Sequence, residues 1–135
     1  MSDETTKTQI SYSVLLVDDD DFLLDMYALK FSQAGHTIQS AQGAEIALEK
    51  LRNSGYSPDA VVLDLVMPKM DGFELLEHIK EEGLAPKAAL IVLSNQGEPE
   101  NLVRAKELGA ASHIIKANAI PSEVLAMVED IIESR

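Results

Sequence analysis

Four consecutive aspartates, Asp18 to Asp21, directly follow the aliphatic run Val14 to Val17. A second run, Ala60 to Leu63, leads into Asp64; a third, Leu90 to Leu93, into Ser94; and a weaker one, Ser112 to Ile115, into Lys116. Singly these residues are ordinary, because Asp and Ser at such points commonly cap the next helix and a lone Lys is usually a solvated charge. At the carboxyl ends of four candidate strands they point jointly to one site. Three carboxylates held within about 4 Å of one another repel by about 4 kcal/mol per pair in the effective dielectric near a protein surface. A hard cation relieves that repulsion, and Mg2+ suits the set, since it takes oxygen ligands and commonly pairs one or two protein carboxylates with phosphate oxygens. Asp64 is directed by its strand at the same pocket as Asp18 and Asp19, and a carboxylate there can act as a nucleophile toward phosphorus. Ser94 and Lys116 would supply a hydrogen bond and a positive charge to the oxygens of the transferred group, so the chemistry rests on position and electrostatics. Asp20 and Asp21 are read instead as caps of the helix that follows.

Aliphatic runs this short and continuous suit strands buried on both faces, and Thr37 to Ser40 is a more polar candidate for a sheet edge. Between them apolar residues recur three or four apart: Phe22, Met26 and Leu29; Ala44, Ala47, Leu48 and Leu51; Phe73, Leu76 and Ile79; Leu102, Ala105 and Leu108. The clearest stripe is the last, Val124, Leu125, Val128, Ile131 and Ile132. Gly35, Gly55, Gly83 and Gly109 stand as C-terminal stops, and Pro99 and Pro121 stand near helix starts. Five strands alternating with five helices imply right-handed crossovers and an α/β fold, a doubly wound parallel sheet covered on both faces. Ligands of such open sheets bind beyond the carboxyl ends of the strands, where the strand order reverses. The polar segment 1–13 has no periodicity and is expected to be a flexible tail, leaving 14–135 as one domain.

The 135 residues are 46% apolar and carry 11 basic against 23 acidic side chains, for a formal net charge of −12. One domain with a sizeable core is the expectation. An acid excess this large opposes sequence-independent binding to nucleic acid or to an anionic membrane, both of which need clustered Lys and Arg. The absence of cysteine excludes a disulfide framework, a thiolate metal site and a cysteine nucleophile. No apolar run approaches the ~20 residues of a membrane-spanning helix, and the polar start lacks the apolar stretch of a secretory signal, so a soluble cytoplasmic protein is expected.

With these residues in place, the chain resembles the receiver domains of the response-regulator family of two-component signalling, from about Val14 to Glu133. The motifs that carry the resemblance are Val17-Asp18-Asp19 and the stretch Asp64-Leu65-Val66-Met67-Pro68-Lys69-Met70-Asp71-Gly72. Ser94 closing the fourth strand and Lys116 closing the fifth complete it, and the set is far more specific than any one member. The resemblance implies a flavodoxin-like three-layer sandwich of five parallel strands in the order 2-1-3-4-5, with Asp64 as phosphoacceptor. It implies Mg2+ (or Mn2+) held by Asp19, Asp64 and the backbone carbonyl of Val66, with Asp18 assisting through water. The phosphoryl donor would be a phosphohistidine on a sensor histidine kinase or a histidine phosphotransfer protein. Phosphorylation would draw Ser94 inward and alter the face formed by the fourth helix, fifth strand and fifth helix, shifting a population of conformers. The product would act on a downstream protein, as a monomer or a phosphorylation-dependent dimer.

Three positions depart from the family pattern. Asn95 stands where a small residue is usual, and its amide either crowds the pocket mouth or points to solvent. His113 stands where an aromatic switch residue is common, and the reading preferred from sequence is a fixed surface histidine over one that swings inward with Ser94. Lys116-Ala117 replaces the usual Lys-Pro, whose bond is cis in many relatives; without proline the cis form costs about 2.5 to 4 kcal/mol, so either this peptide is trans or the loop is strained. Met67 and Met70 read as loop packing, and Asp71-Gly72 as a turn and helix cap.

The leading expectation is a stand-alone phosphorylatable receiver, since the chain ends with the fifth helix, and it must then act through another protein. The alternative is a receiver-like module that binds partners without phosphorylation, which Asn95, His113 and Ala117 favour and the acid set, Ser94 and Lys116 oppose. An aspartyl phosphatase is disfavoured because the position two residues after Asp64, where its acid and base would stand, is Val66. A flavin site is disfavoured because four aspartates would repel the cofactor phosphate.

Overall fold

The computed structural model describes residues 10–95 and 97–135. Five strands, β1 (Ser13–Asp18), β2 (Thr37–Gln42), β3 (Ala60–Leu63), β4 (Ala89–Ser94) and β5 (Ser112–Ile115), alternate with five helices. The helices are α1 (Asp21–Gln33), α2 (Ala44–Leu51), α3 (Gly72–Glu82), α4 (Pro99–Glu107) and α5 (Pro121–Ser134). The strands form one sheet in the order β2-β1-β3-β4-β5, every pair parallel. The order reverses between β1 and β3, which is where the acidic residues stand.

Strand alternation divides the core in two. Leu15, Val17, Val61, Leu63 and Val92 face α2 and α3, while Val14, Leu16, Val62, Ile91 and Leu93 face α1 and α5. Because both faces are covered, β3 and the interiors of β1 and β4 are aliphatic, and the polar β2 lies at an edge. Pro99 and Pro121 open α4 and α5, and Gly83 ends α3 in the left-handed conformation at φ 66°.

Two expectations are corrected. Of the stripe Phe22, Met26 and Leu29, only Met26 packs against the core, at its edge; Leu24, Tyr27 and Phe31 fill it, leaving Phe22 74% and Leu29 61% exposed. The helix is apolar on both sides, and Asp25, Ser32 and Gln33 fall toward the Phe22 side at 100° per residue, which turns that side to water. Of the weaker series on α4, only Ala105 is buried. The other correction concerns the amino-terminal boundary. β1 begins at Ser13, and Tyr12 is buried, its ring stacked on His36 at 5.4 Å and its backbone N–H donating to His36 Nδ1 at 3.0 Å. That bond makes Nδ1 an acceptor, so the proton sits on Nε2 and is donated to Glu129 at 2.7 Å. Ordered structure therefore starts before Val14; residues 1–9 of the expected tail lie outside the described residues.

Candidate functional site

The parallel register brings the acids together. Val17 pairs with Leu63, so Asp18 at the end of β1 and Asp64 just past β3 are neighbours, and the Asp64 N–H donates to the Val17 carbonyl at 3.1 Å. Asp18 and Asp64 are buried and Asp19 is exposed, and one carboxylate oxygen from each lies within 4.8 Å of the others. Lys116, from the end of β5, places Nζ 2.8 Å from Asp18 Oδ2 and 3.3 Å from Asp64 Oδ2, with all three side chains about one-tenth exposed. The remaining oxygens are held by the backbone: Asp18 Oδ1 accepts from Asp20 N–H at 3.0 Å, and Asp64 Oδ1 from Val66 N–H at 3.3 Å. These residues, with Leu23 and Asn95, line a cleft of about 270 Å³.

Burial raises the Asp64 pKa above the ordinary carboxylate value; the nearby Lys116 charge opposes the shift and Asp18 reinforces it. Burial works against the Lys116 ammonium, but the hydrogen bond to Asp18 and the charges of Asp64 and Asp18 more than offset it, so its pKa lies above the usual lysine value. Lys116 is therefore a fixed cation beside a carboxylate that resists ionisation. One ammonium against three carboxylates leaves a local excess of negative charge, and a donor set made only of carboxylate oxygens suits a hard divalent cation.

The caps fall as expected. Asp20 accepts from Phe22 and Leu23 N–H at the start of α1, and Asp71 forms a capping box with Glu74 at the start of α3. Met67 is buried and Met70 packs on the core, in keeping with loop packing. All described peptides are trans, Lys116–Ala117 included, and Lys116–Asn118 forms one turn of 3-10 helix that still delivers the amine to the acid pair. Asn95 is exposed and on the cleft rim.

Two features were not read from sequence. Gly72 is needed by close approach rather than by its turn: a Cβ there would run into the Asp64 carbonyl oxygen and come within 2.8 Å of Leu65 Cα. With the Gly72 N–H donating to the Leu65 carbonyl at 2.9 Å, this packing anchors the loop that carries Asp64. The spacing between Asp64 and Gly72 was the available signal. Ser94 is fully buried, and its Oγ lies 3.1 Å from His113 Nε2. The register explains the contact, since Val92 pairs with His113 and Ser94 with Ile115, which makes Ser94 and His113 diagonal neighbours on one sheet face. His113 is thus half-buried against the hydroxyl, not the surface histidine preferred from sequence.

The model of the response regulator receiver domain matches residues 14–129. The chain belongs to this family. The receiver is 33% identical over 117 residues to the gliding motility regulatory protein of Myxococcus xanthus, covering 87% of this chain and 15% of that protein. It is 32% identical over 104 residues to the transcriptional regulatory protein AfsQ1 of Streptomyces coelicolor, covering 77% of this chain and 44% of that protein. The chain thus spans less than half the length of these two relatives, and a stand-alone receiver and a domain of a longer regulator match them alike. Among solved structures it is similar to a receiver domain protein of Methanospirillum hungatei, with a TM-score of 0.83 and 26% identity over 93% of this chain and 96% of that one. The beryllofluoride-activated DrrB receiver domain matches with a TM-score of 0.76 and 27% identity over 92% of this chain and 99% of that one. Receiver family and acidic cluster together support a phosphorylation-driven signalling switch, and the cluster is consistent with the self-catalysed phosphotransfer and dephosphorylation typical of receiver domains. Val66 is exposed and lines the same cleft. Among the described residues no helix is long and apolar enough to cross a membrane.

Proposed function

We propose that Asp64 is the phosphoacceptor and that the donor is a phosphohistidine on a sensor histidine kinase or a histidine phosphotransfer protein. An Asp64 carboxylate oxygen attacks phosphorus, the phosphorus–nitrogen bond breaks, and the imidazole leaves with that electron pair. Lys116 neutralises the oxygens that gain charge, and Ser94 donates a hydrogen bond to one of them after turning from His113. Mg2+ or Mn2+, held by Asp18, Asp19, Asp64 and the Val66 carbonyl, would supply further positive charge to the transferred group. The aspartyl phosphate signals through contacts with another protein, and a cytoplasmic setting fits a kinase donor.

The observation that carries this reading is the Lys116 ammonium bridging Asp18 and Asp64 in a cleft at the carboxyl ends of the strands. Fluorine NMR of beryllofluoride, titrated with Mg2+ into wild type and Asp64→Asn, tests it. A bound signal in wild type alone, and only with Mg2+, is expected. No bound signal in wild type at saturating Mg2+ would leave a phosphorylation-independent interaction module as the better account.

A further inference from the structure

We infer that Gln42 is a positioning residue of the acid cleft: its side-chain amide holds the backbone that aims the Asp19 carboxylate at Asp18 and Asp64, and so strengthens binding of the divalent cation. The inference rests on the reading of these carboxylates as the cation site and names what keeps the outermost of them in place. Three observations carry it. Gln42 Nε2 donates to the Asp19 carbonyl oxygen at 3.2 Å. Among the described residues the Asp19 carboxylate accepts no hydrogen bond, whereas Asp18 is held by Lys116 and the Asp20 N–H, and Asp64 by Lys116 and the Val66 N–H. Asp19 lines both the acid cleft and a neighbouring cleft of about 300 Å³, while Gln42 lines only the neighbouring one and supports Asp19 from there.

The need for such a support follows from where the strand pairing stops. Asp18 is the last residue of β1 to pair with β2, opposite Gln42, and its carbonyl accepts from the Gly43 N–H at 3.1 Å. At Gly43, with φ 103°, the chain leaves β2 for α2, so Asp19 stands one residue past the ladder. The Gln42 side chain extends the hold on β1 by that one residue. Asp19 is exposed, and its carboxylate has an oxygen within 4.8 Å of those of Asp18 and Asp64, so without a cation charge repulsion drives it toward water. A carbonyl fixed by a donor restricts rotation of the Asp19 backbone, which keeps the carboxylate beside its partners and lowers the ordering cost of binding. Gln42 acts through Asp19 and contributes no ligand atom.

The test is a Mg2+ titration of the full chain, followed through the side-chain carboxyl carbons of Asp18, Asp19 and Asp64 by carbon-detected NMR, for wild type and Gln42→Met. Methionine keeps the length of the side chain and has no donor, and Gln42 is exposed, so the substitution leaves the core closed. Net hydrogen-bond energies in proteins correspond to about a 2- to 10-fold change in an equilibrium constant. An exposed bond belongs at the lower end, so Gln42→Met is expected to need about 2- to 4-fold more Mg2+ for half-saturation. In the metal-free protein the Asp19 carboxyl resonance is expected to move on substitution while those of Asp18 and Asp64 stay, because Lys116 and the backbone still hold them. A general loosening of the sheet edge would move all three. An unchanged or lower Mg2+ midpoint in Gln42→Met, or equal movement of the three resonances, would overturn the role of Gln42 while leaving the cation site intact. No shift of any of the three carboxyls in wild type with Mg2+ in large excess would overturn the cation site and the inference with it.

Discussion

Replacing Asp64 with Asn is expected to make the metal-free protein more stable, although it removes a group central to function. The Asp64 carboxylate has an oxygen within 4.8 Å of both Asp18 and Asp19, and Lys116 Nζ lies 3.3 Å away. In an effective dielectric of about 20, repulsion from Asp18 amounts to about 3.5 kcal/mol, and the exposed Asp19 adds about half of that. Attraction to Lys116 at its distance returns about 5 kcal/mol, so the charge terms nearly cancel. What is left is the cost of burying the carboxylate, the largest cause of its raised pKa and worth about 2 kcal/mol once water penetration is allowed for. Asp64→Asn keeps the shape and an acceptor oxygen for Lys116 and removes that cost. Urea unfolding at pH 7 with EDTA is therefore expected to show the variant more stable by about 2 kcal/mol, or about 6 °C in Tm. The sign with pH follows from the direction of the shift. Because the folded pKa lies above the unfolded value, the penalty is absent below the ordinary carboxylate value and grows as pH rises through the folded one. The two proteins should thus converge by about pH 3 and separate toward pH 7. Millimolar Mg2+ should stabilise wild type more than the variant and narrow the gap. An Asp64→Asn protein no more stable than wild type in EDTA at pH 7 would refute the balance drawn between burial and Lys116.

Gly72→Ala should cost about 3 kcal/mol, because the obstructing atoms are backbone, and it should also weaken beryllofluoride binding by displacing the Asp64 loop; thermal unfolding and fluorine NMR read both. On α1, Leu24→Ala should cost about 3 kcal/mol in urea unfolding and Phe22→Ala within about 0.5 kcal/mol; the reverse ranking would put the wrong face of the helix against the sheet. Exposed Glu82 is held down to about 2 by hydrogen bonds from Arg52 and His78. Its small contribution to stability should be lost as pH falls from the ordinary carboxylate range through that value, and carbon-detected NMR titration should show Arg52→Ala returning Glu82 most of the way to normal.

Sequence alone determined the layer order and the edge that carries the chemistry. Continuous aliphatic runs such as Val14 to Val17 and Ala60 to Leu63 can bury both faces only inside a covered parallel sheet, and in such a sheet all carboxyl ends share one edge. That placed Asp18, Asp19, Asp64, Ser94 and Lys116 on one edge without a single coordinate. Local signals were equally legible, with Asp20 and Asp71 as caps and Pro99 and Pro121 at helix starts, because caps depend on residues a few positions apart. Tertiary structure decided what depends on partners distant in the chain. Helix α1 carries apolar side chains on both sides, and only docking on β1, β2 and α5 selected Leu24, Tyr27 and Phe31 over Phe22 and Leu29. Gly72 has to be glycine because a carbonyl eight residues earlier passes over it, and periodicity does not encode that approach. The direction in which Ser94 points follows from the β4–β5 register, which sets His113 beside it on the same face, and register is a property of the assembled sheet.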